Sequence, residues 1–545
     1  MRQLRTGLES GFLGILFIIP ILVTPRTTID VFALPKSLLF VTGILVLTSF
    51  MMLYGQNVLA ITKDKLSLVF IALALCTLII PILSNSFSEE RLFGVHGRFN
   101  GALVYFSLIL SLLFIRIMFK AETSLNLLKL GAFANLIVGS YFIVQWTGKD
   151  FLGWQDVYQN PSSTMGNPNF VSGFLATTSF CYFGFANSQS NNSKKVFVSR
   201  AFSIFGFGFS ITSIALTNSS LGLIAVLAGL SLILCTWLIR KFSKVVSAPI
   251  ILRWISLVAF LAVVVAIPVI LAGNRLELTT SISNRLYYWS VSLAAIWDRP
   301  LQGYGFDSTG DFFRTMERVD KFGPTFGVDS SHNLIIDLIS WMGIPLSILL
   351  VSIILIPIVL SINSQITKLP LSSVENLVAA SVITFLAQAV ISVPTIGVNC
   401  WGFAFLGILW NLVRPIEKSE AVKVRHIPTK SLRVGAILLF LLLLPLFPMR
   451  FAKDVEFRKS AERGNGVELI RLVQKWPQDS YQYLALSHSL YRSNQASLAR
   501  EIAKRGIEFN SKNYLLLDEV YREEKDLKYK DEILEQMKAI NPLLK

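Results

Sequence analysis

His332 is the residue whose type and position most strongly suggest chemistry. It lies in Ser330-Ser331-His332-Asn333, directly after the longest polar segment and directly before the apolar stretch 334–362. A neutral imidazole at such a boundary can accept a proton near neutral pH, as a general base must. A polar cluster that caps the following helix explains the same residues, so both interpretations stay open, for His332 and for Asn333.

Two further segments could bind an anion or a sugar. Gly94-Val95-His96-Gly97-Arg98-Phe99-Asn100-Gly101 combines three glycines, which let backbone approach a ligand, with the guanidinium of Arg98, which suits phosphate. Gly166-Asn167-Pro168-Asn169 begins another apolar stretch, so Asn167 and Asn169 lie where free helical N–H groups could meet an anion or sugar hydroxyls. Each segment taken alone is more simply explained as an ordinary loop.

A third candidate segment is amphipathic. Within 282–297, apolar side chains recur at helical spacing: Ile282, Leu286, Trp289, Leu293 and Ile296. This pattern predicts a helix lying on a membrane surface, with Arg285 near the depth of lipid headgroups. Arg285 could bind a ligand there or simply anchor the helix to the interface. The flexible turn Pro300 through Phe306 follows, and it contains Tyr304.

The composition defines the elements that must position these residues. Of 545 residues, 53% are hydrophobic and only 15% are charged, whereas soluble domains carry about 25% charge. Apolar stretches of about 20 residues, the length that crosses a bilayer, recur along the chain. We predict an all-α, multi-pass membrane protein with thirteen spans. These are 8–25, 36–54, 66–83, 101–119, 127–147, 168–186, 201–217, 220–239, 254–273, 334–362, 375–393, 397–413 and 432–449.

The charges orient these spans. With a cytoplasmic N-terminus, the short cytoplasmic connections hold 21 Lys and Arg residues and the short outer connections hold five. The positive-inside rule therefore predicts an extracytoplasmic C-terminus and places the loop 274–333 outside. The net charge of +16 is spread between apolar segments, which argues against nucleic acid as a partner.

Several classes of chemistry are excluded by missing motifs. The sequence has no phosphate-binding loop of the nucleotide-hydrolysing type, no dinucleotide fingerprint and no nucleophile elbow, so we expect no cofactor. Its four cysteines lie in apolar stretches without metal-ligand spacing, so we expect neither a disulfide framework nor a metal site.

The tail 450–545 is predicted to be a separate extracytoplasmic domain that follows the membrane domain 1–449. Trp476-Pro477, Phe509-Asn510 and Ile540-Asn541-Pro542 recur every 32–34 residues, with two helical stretches between successive marks. This period is typical of tetratricopeptide-like repeats, which build concave docking surfaces. A protein partner is therefore expected for the tail, whose function would be docking.

The chain resembles the bacterial O-antigen ligase and O-antigen polymerase family, which includes the protein O-oligosaccharyltransferases. The resemblance covers most of residues 90–345 and rests on an ordered set of motifs. These are Gly97 through Gly101, Gly166 through Asn169, Ser283-Asn284-Arg285 with Trp289, Pro300 through Gly305, and Ser331-His332-Asn333 with Gly343.

The resemblance implies a metal-independent glycosyltransferase of surface polysaccharide or glycoconjugate biosynthesis in the bacterial inner membrane. The donor would be a glycan on a polyprenyl diphosphate such as undecaprenyl diphosphate, and the acceptor a lipid, a growing glycan or a protein. In this family His332 would be the base and Arg285 a ligand of the donor diphosphate, with Arg98 a second one. Asn167, Asn169, Asn333 and Tyr304 would contact glycan or acceptor.

Two departures from the family pattern and two rival interpretations remain. The chain reads Thr217 through Gly222 where the family commonly has Ser-Arg-Gly, so one arginine is missing, and Arg98 or Arg275 could replace it. Trp341 stands where an acidic residue is usual.

The two rival interpretations of the function are a transporter of lipid-linked glycans and a membrane-anchored scaffold for the repeats. A transporter would favour charged residues at mid-membrane.

Overall fold

The protein is helical throughout the part that the structure covers. The computed structural model describes residues 2–53, 61, 63–84, 88–152, 161–186, 193–242, 276–317, 328–367, 374–416, 429–541 and 543. Over these residues 80% are helical and none is in a strand. The all-α fold class is therefore confirmed. The span predicted at 254–273 and Arg275 lie outside the described residues.

The helices of the N-terminal part form a bundle around α5 and α15. In chain order they are α1 (Arg2–Ile18), α2 (Ala33–Leu53), α3 (Lys65–Leu83), α4 (Glu89–Phe93), α5 (Ala102–Met118), α6 (Ala121–Trp146), α7 (Pro168–Ser179), α8 (Phe183–Ala186), α9 (Ser193–Leu216), α10 (Ser220–Phe242), α11 (Leu276–Asp298), α12 (Thr309–Met316), α13 (Leu334–Thr367), α14 (Val374–Ala389) and α15 (Ile396–Val413). All of α5 and most of α15 are buried. These two helices are shielded by the others, whose apolar outer faces are partly exposed.

Eight described helices are long and apolar enough to cross a membrane, and α5 and α14 are shorter apolar helices. This confirms a polytopic helical membrane protein, while the number thirteen stays a prediction. The stretch predicted as span 8–25 is helical only to Ile18. Pro20 explains the early end, because a proline lacks an N–H and disfavours the helical conformation of the residue before it.

The helix predicted at 282–297 is present as α11, but its apolar residues divide between two faces. Leu286 and Leu293 are exposed, whereas Ile296 is buried. The buried face also presents Tyr288 and Val291, which form a small apolar cluster with Phe313 of α12 and with Val328. The helix is thus held against the outer loops by one face, and its position on a membrane surface stays a prediction.

A kink in α13 anchors the turn that follows α11. Gly343 interrupts α13 with φ 75° and ψ 165°, a conformation that is essentially restricted to glycine. The interruption lets the carbonyl groups of Ser340 and Trp341 accept hydrogen bonds from the N–H groups of Tyr304 and Gly305, at 2.9 and 3.0 Å. The motifs at 300–305 and at Gly343, far apart in sequence, therefore form one backbone junction.

The C-terminal helices form a second hydrophobic core. They are α16 (Thr429–Leu443), α17 (Leu446–Glu462), α18 (Gly466–Gln474), α19 (Ser480–Arg492), α20 (Ala496–Phe509), α21 (Tyr514–Glu523) and α22 (Leu527–Ile540). Helix α17 runs without a break across the predicted domain boundary at 449/450. Its Phe447 packs in the membrane core and its Phe457 in the tail core. Successive short helices agree with the predicted repeat, whose tetratricopeptide class stays a prediction.

The tail is held against the loops of the membrane domain by polar contacts. Asn510 donates to Glu90 at 3.1 Å and to Asp311 at 3.2 Å, and Asn541 donates to Glu317 at 3.2 Å. The backbone N–H of Ser480 also donates to Glu90, at 2.8 Å. The tail therefore covers the loops that carry the candidate site.

Candidate functional site

His332 is held in an unusual backbone conformation by its neighbours. Its φ is 57°, in the left-handed region that is uncommon for residues other than glycine. Its backbone N–H donates to Ser330 Oγ at 3.0 Å, and Asp337 in the first turn of α13 accepts hydrogen bonds from the hydroxyl groups of Ser330 and Ser331 at 2.7 and 2.6 Å. The carboxylate of Asp337 thus holds the loop that carries His332 in place. These hydrogen bonds do not involve the imidazole.

The imidazole of His332 has a defined tautomer. Its Nδ1 lies 3.0 Å from the carbonyl oxygen of Ser330, which can only accept, so Nδ1 carries the proton and donates. Nε2 then has the lone pair. Burial lowers the pKa of His332, an effect that the charges of Arg285 and Arg98 reinforce and the charge of Asp329 opposes. The ring is therefore neutral at pH 7 and has the protonation state of a general base.

Arg98 forms an ion pair with Asp329, which lies three residues before His332 in the chain. Its Nε donates to Asp329 Oδ2 at 2.6 Å. The loop that carries Arg98 is shaped by Gly94 and Gly97, both with positive φ, and by Asp307, which accepts from the backbone N–H groups of Val95 and Asn100. Burial raises the pKa of Asp307 to about 7. Asp307 is thus part of the scaffold of this loop.

Arg285 approaches the same place from α11. Its Nε donates to the carbonyl oxygen of Ile391 at 2.9 Å, and burial lowers the pKa of its guanidinium. One turn along the helix, the ring of Tyr288 lies 5.3 Å from the ring of His332, centroid to centroid. The structure therefore brings together three of the residues singled out in the sequence: His332, Arg98 and Arg285.

A large cavity opens next to this cluster, and we call it the basic cavity. It has a volume of about 860 Å³. Its lining includes four Lys and Arg residues and two carboxylates among the described residues, namely Arg26, Lys36, Arg98 and Arg458 against Asp30 and Asp329. Its size is typical of ligand sites, and its charge favours an anionic ligand.

The sequence reasoning missed three of the four cations of the basic cavity. In the sequence, Arg26 and Lys36 contribute only to the count of basic residues in the short outer connections, and Arg458 is only one residue of the tail. Lys36 is almost fully buried in the first turn of α2, where its Nζ donates to the carbonyl oxygen of Thr164 at 2.6 Å. A lysine at the very start of an apolar helix was the available signal.

Asn167 and Asn169 lie on either side of Pro168 at the start of α7. Asn167 caps the helix by accepting from the N–H of Asn169 at 2.8 Å, and it lines the basic cavity. Asn169 accepts from the hydroxyl of Ser219 at 2.8 Å. The segment with the missing arginine, Thr217 through Gly222, therefore packs against the start of α7.

Asn333 and Tyr304 have structural partners instead. Asn333 caps α13, since its Oδ1 accepts from the N–H groups of Ile335 and Ile336 at 3.0 and 3.2 Å. The hydroxyl of Tyr304 donates to Asp298 at 2.6 Å, and its buried ring lies 4.4 Å from the guanidinium of Arg299. The helix-cap interpretation thus accounts for Asn333, and neither residue is among those lining the basic cavity.

A smaller cavity, which we call the tail cleft, separates the tail from the outer loops. It has a volume of about 390 Å³ and is lined by residues of α4, α12 and the loops around them on one side, and of α19, α21 and the loop before α21 on the other. His96, Arg98 and Asp329 line both this cleft and the basic cavity. The two cavities therefore meet at the Arg98–Asp329 ion pair, next to His332.

Comparison with known proteins agrees with part of this picture. Residues 205–351 match the family model described as O-antigen ligase. This segment includes Arg285, the turn 300–305, His332 and Gly343, and the match supports the O-antigen ligase family and a ligase-type glycan transfer in surface polysaccharide biosynthesis. No curated protein matches the chain.

Proposed function

We propose that the protein transfers a glycan from a polyprenyl diphosphate to an acceptor hydroxyl on the extracytoplasmic face of the bacterial inner membrane. The observation that carries the proposal is a neutral His332, with its Nε2 lone pair, near Arg98 and Arg285, since the charges of both arginines act on its pKa. Of these three residues, Arg98 lines the basic cavity. The predicted orientation, with the N-terminus inside and the tail outside, belongs to the same proposal.

The cations act on the donor. Two phosphates at the level of the lipid headgroups need fixed positive charge, and planar guanidinium groups bind phosphate oxygens in pairs. Arg285 and Arg98 are the diphosphate ligands, and the basic cavity adds Arg26 and Arg458 as further positive charges.

His332 acts on the acceptor. Its Nε2 takes the proton from the acceptor hydroxyl while the acceptor oxygen attacks the anomeric carbon of the donor. The bond between that carbon and the phosphate oxygen breaks, and the lipid diphosphate leaves with the electron pair. Because the arginines stabilise the negative charge that develops on the leaving diphosphate, the reaction needs no metal ion.

Reconstitution tests this proposal. The purified full chain is mixed in detergent with lipid-linked glycan and candidate acceptors, and new glycosidic product is measured together with released lipid diphosphate. We expect both to form in equal amounts, without nucleotide. A transporter of lipid-linked glycans would instead move the donor across vesicles and form no product in detergent, and that outcome would contradict the proposal.

A further inference from the structure

The tail cleft has a lining suited to a different ligand from that of the basic cavity. Five carboxylates line it, against three Lys and Arg residues, among the described residues. The basic cavity has the opposite balance. Three of the cleft carboxylates are already ion-paired: Asp311 with Arg91, Asp329 with Arg98 and Asp479 with Arg450. Because cations outnumber carboxylates only in the lining of the basic cavity, a diphosphate is attracted there more than in the cleft.

The polar groups of the cleft match the hydroxyl groups of a neutral sugar. Glu90 and Asp311 offer carboxylate oxygens, which only accept hydrogen bonds, whereas Asn510 and Asn513 offer amide groups, which can donate and accept. A sugar hydroxyl does both and can therefore bridge them. Asn510 already bonds to Glu90 and Asp311, so these groups are held in place before a ligand binds.

An aromatic ring completes the lining. One face of Tyr481 stacks on His96, with the ring centroids 4.0 Å apart and the planes 4° apart, and the residue is 41% exposed. Tyr481 therefore presents ring surface to the cleft with its orientation fixed, and the apolar face of a pyranose could pack against it.

The cleft leads to the proposed base. Asp329 and Val328, which immediately precede the His332 loop, line the cleft together with Phe313. The ring of Phe313 lies 6.0 Å from that of Tyr288, which lies 5.3 Å from that of His332. His332 itself is not among the described residues that line either cavity, but a ligand in the cleft can reach Asp329, three residues before His332, where the cleft meets the basic cavity.

From these four observations we propose that the tail cleft is the acceptor site and that the acceptor is a neutral glycan. The tail then supplies one wall of the acceptor site through Tyr481, Asn510 and Asn513. This proposal rests on the proposed function, because it needs a donor on the other side of His332. It gives the tail a part in binding substrate, in addition to any docking of a protein partner.

A cavity-filling substitution tests the proposal with a matched control. Leu515 lines the cleft and is 43% exposed, so Leu515→Trp can narrow the cleft without disturbing the tail core. Leu527, 77% exposed and not among the cleft residues, provides the control Leu527→Trp. Both full-length variants are placed in nanodiscs with lipid-linked glycan as donor. The acceptor probe is the oligosaccharide that mild acid releases from that donor, labelled with a fluorophore.

We expect wild type and Leu527→Trp to extend the labelled oligosaccharide alike. Leu515→Trp should raise the KM for the oligosaccharide about tenfold or more and leave the KM for the donor unchanged. Tyr481→Ala should raise the acceptor KM by about two- to twelvefold, which corresponds to one aromatic contact of about 0.5–1.5 kcal/mol.

Two results would overturn the acceptor site while leaving the proposed function intact. One is an unchanged acceptor KM in Leu515→Trp. The other is transfer of the glycan to a lipid or peptide acceptor, with release of lipid diphosphate, and no extension of the oligosaccharide. Failure of wild type to form any glycosidic product would instead remove the proposed function and, with it, the acceptor site.

Discussion

Gly343→Ala should break the junction between α13 and the turn 300–305, and the cost can be worked out from the structure. The φ and ψ of Gly343 lie in a region that alanine avoids at about 1–3 kcal/mol. An added Cβ would also lie 2.5 Å from the carbonyl carbon of Leu301 and 2.9 Å from the backbone N of Gln302. These are backbone atoms, so the turn itself must move.

The movement would add to the strain. The hydrogen bonds from Tyr304, Gly305 and Ile344 that close the junction would weaken, and each is worth about 0.5–1.5 kcal/mol. We therefore expect a total loss of about 3 kcal/mol or more, which for a chain of this size is a clear fall in Tm. Because the same half of α13 carries the His332 loop, glycan transfer should fall as well.

Gly310→Ala is the matched control. Gly310 lies in the first turn of α12 with helical backbone, and the nearest atom to an added Cβ is the carbonyl oxygen of Val328 at 3.7 Å. This variant should have the Tm of wild type, or a slightly higher one if its free energy of unfolding rises by up to about 1 kcal/mol. The assay is thermal unfolding in detergent, followed by size-exclusion chromatography of heated samples. Equal Tm values for Gly343→Ala and wild type would refute the reasoning.

Two further predictions concern charges. Arg285→Ala should weaken binding of lipid-linked donor, measured in nanodiscs, and Arg285→Lys should restore little of it because an ammonium cannot replace the planar guanidinium; full rescue by lysine would argue against a diphosphate contact. Asp307→Asn should flatten the pH dependence of Tm. With a folded pKa of about 7, well above the unfolded value, Asp307 holds its proton in the folded state up to about pH 7, so stability falls as pH rises from about 4 through 7. Asparagine is a suitable replacement because its side-chain oxygen can accept from the same two N–H groups and because it tolerates positive φ. The prediction is contradicted if the Tm of the two proteins depends on pH in the same way.

The membrane helices could be predicted from sequence because apolar length alone defines them. Stretches such as 36–54 and 66–83 correspond to α2 and α3 within a few residues. The helix at 282–297 followed from spacing. Its two-faced packing did not, because periodicity cannot say which of two apolar faces meets protein and which stays exposed.

The arrangement of the site could be predicted only in part. His332, Arg98 and Arg285 were each found from local motifs, but Arg98 and Asp329 pair across 231 positions of sequence, and no local rule gives such a contact. Lys36 was missed for the same reason, since its place in the basic cavity depends on how α2 packs against the loop before α7. The cleft between the tail and the outer loops required the tertiary fold.

The central claim, that His332 is the base for glycan transfer, is tested most directly by kcat/KM for purified His332→Ala across a range of pH. The control is His488→Ala, which removes a tail histidine paired with Glu519. We predict a fall of about 10²–10⁴-fold for His332→Ala with donor binding retained, and near-normal transfer for His488→Ala. Because burial lowers the pKa of His332, wild type should lose activity only below about pH 6.5, and this acidic limb should vanish in His332→Ala. Wild-type transfer by His332→Ala at every pH would contradict the assignment.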